Sequence, residues 1–245
     1  MRLNRFLARA GIASRRRSDL LIEQGVVAVN GTVVRKPGCT LVVGRDKVAL
    51  RGQPVLLPET GEYVLLHKTA DSLVTRSDTH GRPTVFDQVD DIQAATVAVG
   101  RLDLDTTGAL LLTDDGDLAH RLMHPRYEVV KRYTVVVWGR PAAEQLDRLR
   151  QGIELDDGKT APAQVRLLET QRKGRHCRSL VELCLHEGRK RQVKRMFQAI
   201  GHQVAALERS EFAGLTLTGL PLGRWRRLSP GEIRRLHTLV GLPPK

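Results

Sequence analysis

Apolar positions recur along the 245 residues in two rhythms, one helical and one strand-like. Near the start, Leu3, Phe6, Leu7 and Ala10 follow the i, i+3, i+4, i+7 rule, which predicts a short helix with Arg2, Arg5 and Arg9 on its opposite face. Gly11 ends it. Ser14 is placed as the N-cap of a second helix running through Leu20, Leu21 and Ile22, with Gly25 as its terminator. Val27-Ala28-Val29, Asn30-Gly31 and Val33-Val34 then spell a hairpin. Gln53–Gly61, with Pro54 and Pro58, reads as a linker. From Tyr63 onward the strand-like runs are Tyr63–Leu66, Thr96–Val99, Leu110–Leu112, Tyr133–Trp138 and Leu180–Leu185, alternating with turn clusters and helical stretches such as Ala142–Leu149. The expectation is an α+β chain: a small helix-helix-hairpin module at 1–58, then a mixed, sheet-based domain at 59–245.

Composition narrows the class. A hydrophobic share of 41% fills a core and excludes disorder of the whole. No window approaches the ~20 apolar residues of a membrane helix, and the N-terminus lacks the apolar run of a secretory signal. Three scattered cysteines (Cys39, Cys177, Cys184) supply neither a disulfide framework nor a Cys-rich zinc site, so a reducing cytoplasm is expected.

Charge points to the partner. A net charge of +13 directs the chain toward a polyanion, with nucleic acid as the default. Aromatics at 4% argue against binding through several stacked platforms. Residues 1–58 hold 11 Lys and Arg against 3 Asp and Glu, residues 59–184 hold 17 against 20, and residues 185–235 hold 11 against 4. Two basic segments flanking a nearly neutral middle suggest two contact regions on one ligand. Arg15, Arg16 and Arg17 occupy a first helical turn, where cations oppose the helix dipole. An anionic partner accounts for them better than local stability does.

Residues 2–50, with LNRFLARAGIASRRRSDLLI, GVVAVNGTVV and KPG, resemble the small RNA-binding domain named after ribosomal protein S4. The resemblance implies that Arg5, Arg15, Arg16, Arg17 and Lys36 contact RNA phosphates.

The most informative string is Gly100-Arg101-Leu102-Asp103-Leu104-Asp105-Thr106-Thr107-Gly108, closed by Ala109–Gly116. Charged residues between two apolar strands sit on a rigid platform, where preorganised chemistry is usually placed. By itself Asp103 reads as a turn-capping aspartate. Asp103 with Asp105 could also be a glycosidase pair, although one turn fixes no carboxylate separation. A metal site finds no His or Cys at ligand spacing.

The string GRLDLDTTGALLLTDDGDL closely resembles the signature of the pseudouridine synthases, in the subgroup that modifies ribosomal RNA and carries the N-terminal domain above. That resemblance implies that Asp103 is the catalytic nucleophile. It also implies a cofactor-free, metal-free reaction that detaches uracil from its ribose, rotates it and rejoins it through carbon. A carboxylate is a competent nucleophile at the sugar or at the pyrimidine ring, and both remain open. The base must first leave its stack. Arg101 either fills the gap left by the flipped base or binds a phosphate.

Two further strings extend the match. Lys131-Arg132-Tyr133 resembles the family's basic-x-Tyr motif and implies that Tyr133 packs on the flipped uracil. Residues 187–197, EGRKRQVKRMF, resemble the subgroup's EGR-x-x-Q-V-basic-R motif, with Arg189 among the RNA contacts. Read as a helix, Val193, Met196, Phe197 and Ile200 span about 100° of arc. Lys190, Arg191, Lys194 and Arg195 cover the neighbouring face. Lys194 falls at the edge of the apolar stripe, where its ammonium could pair with Asp103. The family's first motif, Lys-Pro-x-Gly followed by Ser-Thr, is replaced by Lys68-Thr69-Ala70-Asp71 and Val74-Thr75, read as structural. Leu122-Met123-His124-Pro125 and Glu128-Val129 are more like the large-subunit enzymes than the small-subunit one.

Residues 2 to about 240 share this resemblance. It implies a monomeric enzyme acting on ribosomal RNA or a ribosome-assembly intermediate, without a membrane. The alternatives are a small-subunit target, a non-catalytic RNA-binding assembly factor, and a nucleoside hydrolase or glycosidase.

Overall fold

The computed structural model describes residues 1–58, 61–173 and 176–243, which fold as two units. The first holds Met1–Glu62 with Asp91–Val97 and Thr113–Asp115. Its helices are α1 (Leu3–Arg9) and α2 (Arg15–Glu23), and its strands are β1 (Val27–Val29), β2 (Thr32–Val33), β3 (Val48–Leu50) and β4 (Gln53–Val55). Leu3, Phe6, Leu7 and Ile22 bury their side chains with Val27, Leu41 and Val48, as the helical spacing requires. Ser14 caps α2, its hydroxyl accepting the Arg17 amide at 3.3 Å. Asn30 and Gly31, both at positive φ, join β1 to β2 in register Val29 to Thr32.

Three placements differ from the sequence expectation. Part of the anticipated linker Gln53–Gly61 is strand β4, paired antiparallel with β3. β4 lies at the edge of the sheet order β2-β1-β3-β4, where Pro54's missing donor is tolerated. Residues 59 and 60 of that linker lie outside the described residues. The first unit also takes in two segments assigned by sequence to the second domain, tied together through buried Glu62. Its amide donates to Asp114 Oδ1 at 2.7 Å, its carbonyl accepts the Thr113 hydroxyl at 2.6 Å, and its carboxylate accepts the Gln93 amide at 2.8 Å.

The second unit contains Tyr63–Asp90, Ala98–Leu112 and the chain from Gly116 onward. Its strands are β5 (Tyr63–Lys68), β6 (Val97–Ala98, shared with the first unit), β7 (Thr107–Thr113), β8 (Lys131–Trp138), β9 (Gln164–Lys173), β10 (His176–Leu185), β11 (Val204–Phe212), β12 (Leu215–Thr216) and β13 (Trp225–Arg227). Its helices are α3 (Gly116–Met123), α4 (Ala143–Arg150), α5 (Gln192–Ala199) and α6 (Pro230–Leu239). The sheet runs β13-β5-β7-β11-β8-β10-β9, antiparallel at β13–β5 and from β11 to β9, with β7 and β11 parallel. All six residues of β5 are buried, so that strand shows no period-two alternation.

Helices cover the sheet in two halves. Leu65, Leu111, Leu118, Leu122, Phe212 and Leu236 form one core beneath α3 and α6. Val135, Val181, Leu183, Leu149, Met196 and Phe197 form another beneath α4 and α5. The β7–β11–β8 seam lies between them, and the residues singled out for chemistry meet there.

Candidate active site

The turn before β7 carries Asp103, and its shape is held from behind. Lys68, at the end of β5, is fully buried. Its Nζ donates to the carbonyl oxygens of Asp103 and Leu104 at 3.2 Å and of Thr106 and Thr69 at 2.9 Å. Three of those four acceptors belong to the turn that carries Asp103. Burial is the main reason the Lys68 pKa is drawn down to about 8, partly countered by the charges of Asp105, Asp71 and Asp103. The Asp71 amide adds a bond to the Leu104 carbonyl at 2.9 Å. The stretch read from sequence as merely structural is thus the support for the Asp103 backbone.

Lys194 approaches from α5, as its place at the edge of the apolar stripe predicts. Val193, Met196, Phe197 and Ile200 are buried, while the Lys194 side chain keeps 14% exposure. Its Nζ lies 3.9 Å from Asp103 Oδ2 and makes a closer hydrogen-bonded ion pair with Asp105 Oδ1. That bond is the leading cause holding the Asp105 carboxyl below its usual range. Asp105 had entered only as a possible glycosidase partner. Here one ammonium bridges two carboxylates, of which Asp103 is the more sheltered, at 31% side-chain exposure against 59%.

Tyr133, on β8, faces the same space. Asp103, Tyr133 and Arg101 line both a narrow cleft and a larger cavity of about 720 Å³. Lys131, two residues before Tyr133 and on the same strand face, also lines the larger cavity. Burial first, and the nearby Arg209 cation second, draw the Lys131 pKa down to about 8. Arg101 is exposed at the cavity rim.

The EGR-x-x-Q string needs two corrections. Its helix begins at Gln192, not Lys190, because Arg191 sits at φ 50°, ψ 33°, outside the right-handed helix. Lys190 and Arg191 therefore do not share the helical face assigned to them. Arg189, expected among the RNA contacts, spends its donors on protein. Nη1 and Nη2 reach the carbonyls of Gly158 and Lys159 at 2.7 and 2.6 Å, and Nε reaches Glu187 at 3.3 Å. Glu187 in turn accepts from Gln192 Nε2 at 2.5 Å and from the Ala161 amide at 3.1 Å. The motif is a clamp that fastens residues 157–161 to the start of α5.

In the first unit, Arg15, Arg16, Arg17 and Lys36 are exposed, and Arg5 is half-buried.

Residues 62–199 match the family model described as RNA pseudouridylate synthase. The chain belongs to the RNA pseudouridylate synthase family. Residues 1–45 of this synthase match the S4 domain model. It is 45% identical over 239 residues to ribosomal large subunit pseudouridine synthase B of Bacillus subtilis (strain 168), covering 98% of this chain and 96% of that one. It is 38% identical to the enzyme of the same name from Escherichia coli (strain K12), over 100% of this chain and 84% of that one. An RNA pseudouridine synthase of Aquifex aeolicus (strain VF5) shares 41% identity, covering 99% of this chain and 96% of that one. A crystal structure of a pseudouridylate synthase superposes with a TM-score of 0.67 at 31% identity, covering 96% of this chain and 99% of that one.

Sequence reasoning had passed over Lys68 as a participant, and Arg209 entirely. A lysine two residues beyond the apolar run Tyr63–Leu66 was a readable signal for the first. Arg209 looks like any polar residue of an alternating strand and gave none.

Proposed function

We propose that the chain isomerises uridine to pseudouridine in large-subunit ribosomal RNA, with Asp103 as nucleophile. The observation that carries this reading is a sheltered carboxylate on a turn pinned by a buried ammonium, facing Lys194 at 3.9 Å and sharing a cavity with Tyr133. A flipped uracil would enter that cavity and pack against the Tyr133 ring. Lys194 holds the two acidic side chains in place, and its charge offsets their mutual repulsion. Arg101, exposed at the rim, is the cation best placed to meet the duplex that the base has left. The names borne by the Bacillus and Escherichia relatives support the large subunit as target.

Residues 1–58 form the RNA-binding domain in this reading and 59–245 the catalytic one, in agreement with where the two family models match. Arg5, Arg15, Arg16, Arg17 and Lys36 bind phosphates, adding affinity that weakens with salt. The protein works as a monomer in the cytoplasm on ribosomal RNA or an assembly intermediate. No helix among the described residues is long and apolar enough to cross a membrane.

The test is pseudouridine mapping, by chemical labelling and primer extension, in ribosomal RNA from a deletion strain rescued with wild type or Asp103→Asn. Wild type restores one or more sites and the variant restores none. Equal restoration by Asp103→Asn would remove that carboxylate from the mechanism.

A further inference from the structure

Two sheltered cations stand beside the cavity without an ion pair. Lys131, on β8, is half-buried and donates one hydrogen bond, to the Val129 carbonyl at 3.0 Å. Arg209, on β11, is 2% exposed, and its Nε donates to the Ala109 carbonyl at 2.8 Å. The β8–β11 register sets Arg209 opposite Tyr133 and Lys131 opposite Phe212, whose ring centre lies 4.8 Å from the guanidinium carbon. All four line the 720 Å³ cavity. Two carboxylates also line it. The charge of Glu187 acts on Lys131, but its oxygens are engaged by Arg189, Gln192 and the Ala161 amide. The other, Asp103, faces Lys194.

Packing alone does not explain the pair. Holding an ion out of water without a partner is costly, and apolar side chains would fill the seam without that cost. Each cation also repels the other: burial first, and then the charge of Arg209, draws the Lys131 pKa down to about 8. Lys131 is nevertheless still an ammonium at neutral pH, with two of its three N–H donors uncommitted. Arg101, Lys190 and Arg191 reach the same cavity, but they are exposed, and water and salt screen them. A charge on the sheltered wall acts through a lower dielectric and is worth more there.

The proposed reaction creates a charge to match. When a carboxylate oxygen of Asp103 bonds to C1′ of the ribose, the C1′–N1 bond breaks and its electron pair stays with N1. The negative charge of the carboxylate thereby passes to the uracil ring and spreads to its carbonyl oxygens. When the same oxygen bonds instead to C6, the C5–C6 pair shifts toward C4, and the charge again arrives on a ring oxygen. We propose that Lys131 is a catalytic residue of this step, donating to a carbonyl oxygen of the uracil as it becomes anionic, with Arg209 adding a second fixed positive charge on the same wall. The proposal rests on the reading in which the flipped uracil occupies this cavity. Uracil is neutral before the step, so the interaction is stronger in the transition state than in the bound substrate.

Single-turnover rates and dissociation constants with a substrate RNA test it. Lys131→Met lowers the rate by about 10²-fold, and Lys131→Gln, which keeps a donor without the charge, falls nearly as far. Lys131→Arg recovers most of the loss. The dissociation constant stays within about twofold in all three, because the charge appears only as the bond rearranges. The pH profile adds a readout that packing does not move. Lys131 is charged below about pH 8, so wild-type kcat/KM is level up to that pH and falls above it. Arg209→Met removes the repelling cation and moves the fall to higher pH, and Lys131→Arg abolishes it. Lys68 titrates near the same pH through burial and the charges of Asp105, Asp71 and Asp103, so a fall belonging to it stays in place in both variants. If Arg209→Met does not fold, judged by its thermal transition, Arg209→Gln takes its place. A rate in Lys131→Met within about threefold of wild type, a loss that appears in RNA binding instead, or a fall that neither variant moves would overturn the proposal. Failure of the nucleophile assignment would show separately, as turnover by Asp103→Asn.

Discussion

Replacing Lys68 by methionine isolates what its buried ammonium does. The substitution keeps most of the aliphatic volume but leaves four carbonyl oxygens without that donor: those of Thr69, Asp103, Leu104 and Thr106. At the low end of the cost of an unmet buried acceptor, about 1 kcal/mol each, the loss is about 4 kcal/mol. A compensating gain is set by the wild-type cost of burying the charge. Drawing the pKa from 10.5 to about 8 corresponds to about 3 kcal/mol at neutral pH. The net penalty at pH 7 is therefore about 1 kcal/mol, small enough for Lys68→Met to fold.

The pH dependence has a definite sign. The unfolded chain holds this proton up to pH 10.5 and the folded chain releases it near pH 8, so wild-type stability rises across that window. Lys68→Met lacks that rise. The stability gap should widen from about 1 kcal/mol at pH 7 toward about 4 kcal/mol as pH approaches 10.5. Urea unfolding of both proteins at a series of pH values reads it directly. Activity should fall more than neutral-pH stability suggests, on the order of 10²-fold in single-turnover rate, because a displacement of about 1 Å at the carboxylate proposed as nucleophile is that costly. A gap that does not change with pH, or an unchanged rate, would refute the account of Lys68 as the support of the Asp103 turn.

Three other outcomes follow from the geometry. Lys194→Met should lower the single-turnover rate by on the order of 10²-fold, whereas Asp105→Asn should cost less than about tenfold, because the more exposed carboxylate only shares the ammonium. Similar losses from the two would assign chemistry to Asp105. Gly108→Ala should destabilise the fold by about 3 kcal/mol or more, since its Cβ would lie 2.4 Å from the Arg209 carbonyl oxygen and 2.5 Å from its amide nitrogen, at φ +120°. A thermal transition within a few degrees of wild type would contradict that close approach. Replacing Arg15, Arg16 and Arg17 together by serine should flatten the logarithmic salt dependence of RNA affinity by about 2–3, with the turnover rate of saturated enzyme unchanged. An unchanged slope would remove those arginines from the RNA interface.

The sequence was most readable where local chemistry decides the outcome. Ser14 as a cap, the Asn30-Gly31 hairpin and the Val193, Met196, Phe197, Ile200 stripe all stand where spacing put them, because each depends on neighbours within one turn. β11 escaped because VAALERSEF alternates imperfectly, with register shifts at two places in its pairing to β8. β4 escaped because proline normally argues against a strand, and its edge position is a tertiary fact. In the site, Lys194 beside the Asp103 turn was legible from helical angle plus family pattern. That Asp105 would hold its ammonium more closely was not, since two carboxylates on one turn look equivalent until the turn is folded. The use of Arg189 as a clamp was hidden for a similar reason: its acceptors lie about 30 residues earlier, in a loop with no distinctive spelling.

The parallel joint between β7 and β11 also sets an order of assembly. Gly108 meets Arg209 across a hundred residues of chain, whereas β8, β10 and β9 pair antiparallel with shorter separations. Closing the longer loop carries the larger entropic cost, so the shorter pairings form first and the joint forms late. A ribosome will have made the Asp103 turn long before it makes α5 or β11. Until the chain has grown past both, Asp103 has neither its cation nor its neighbouring strand, and the growing polypeptide carries the exposed arginines of its first unit but no assembled site.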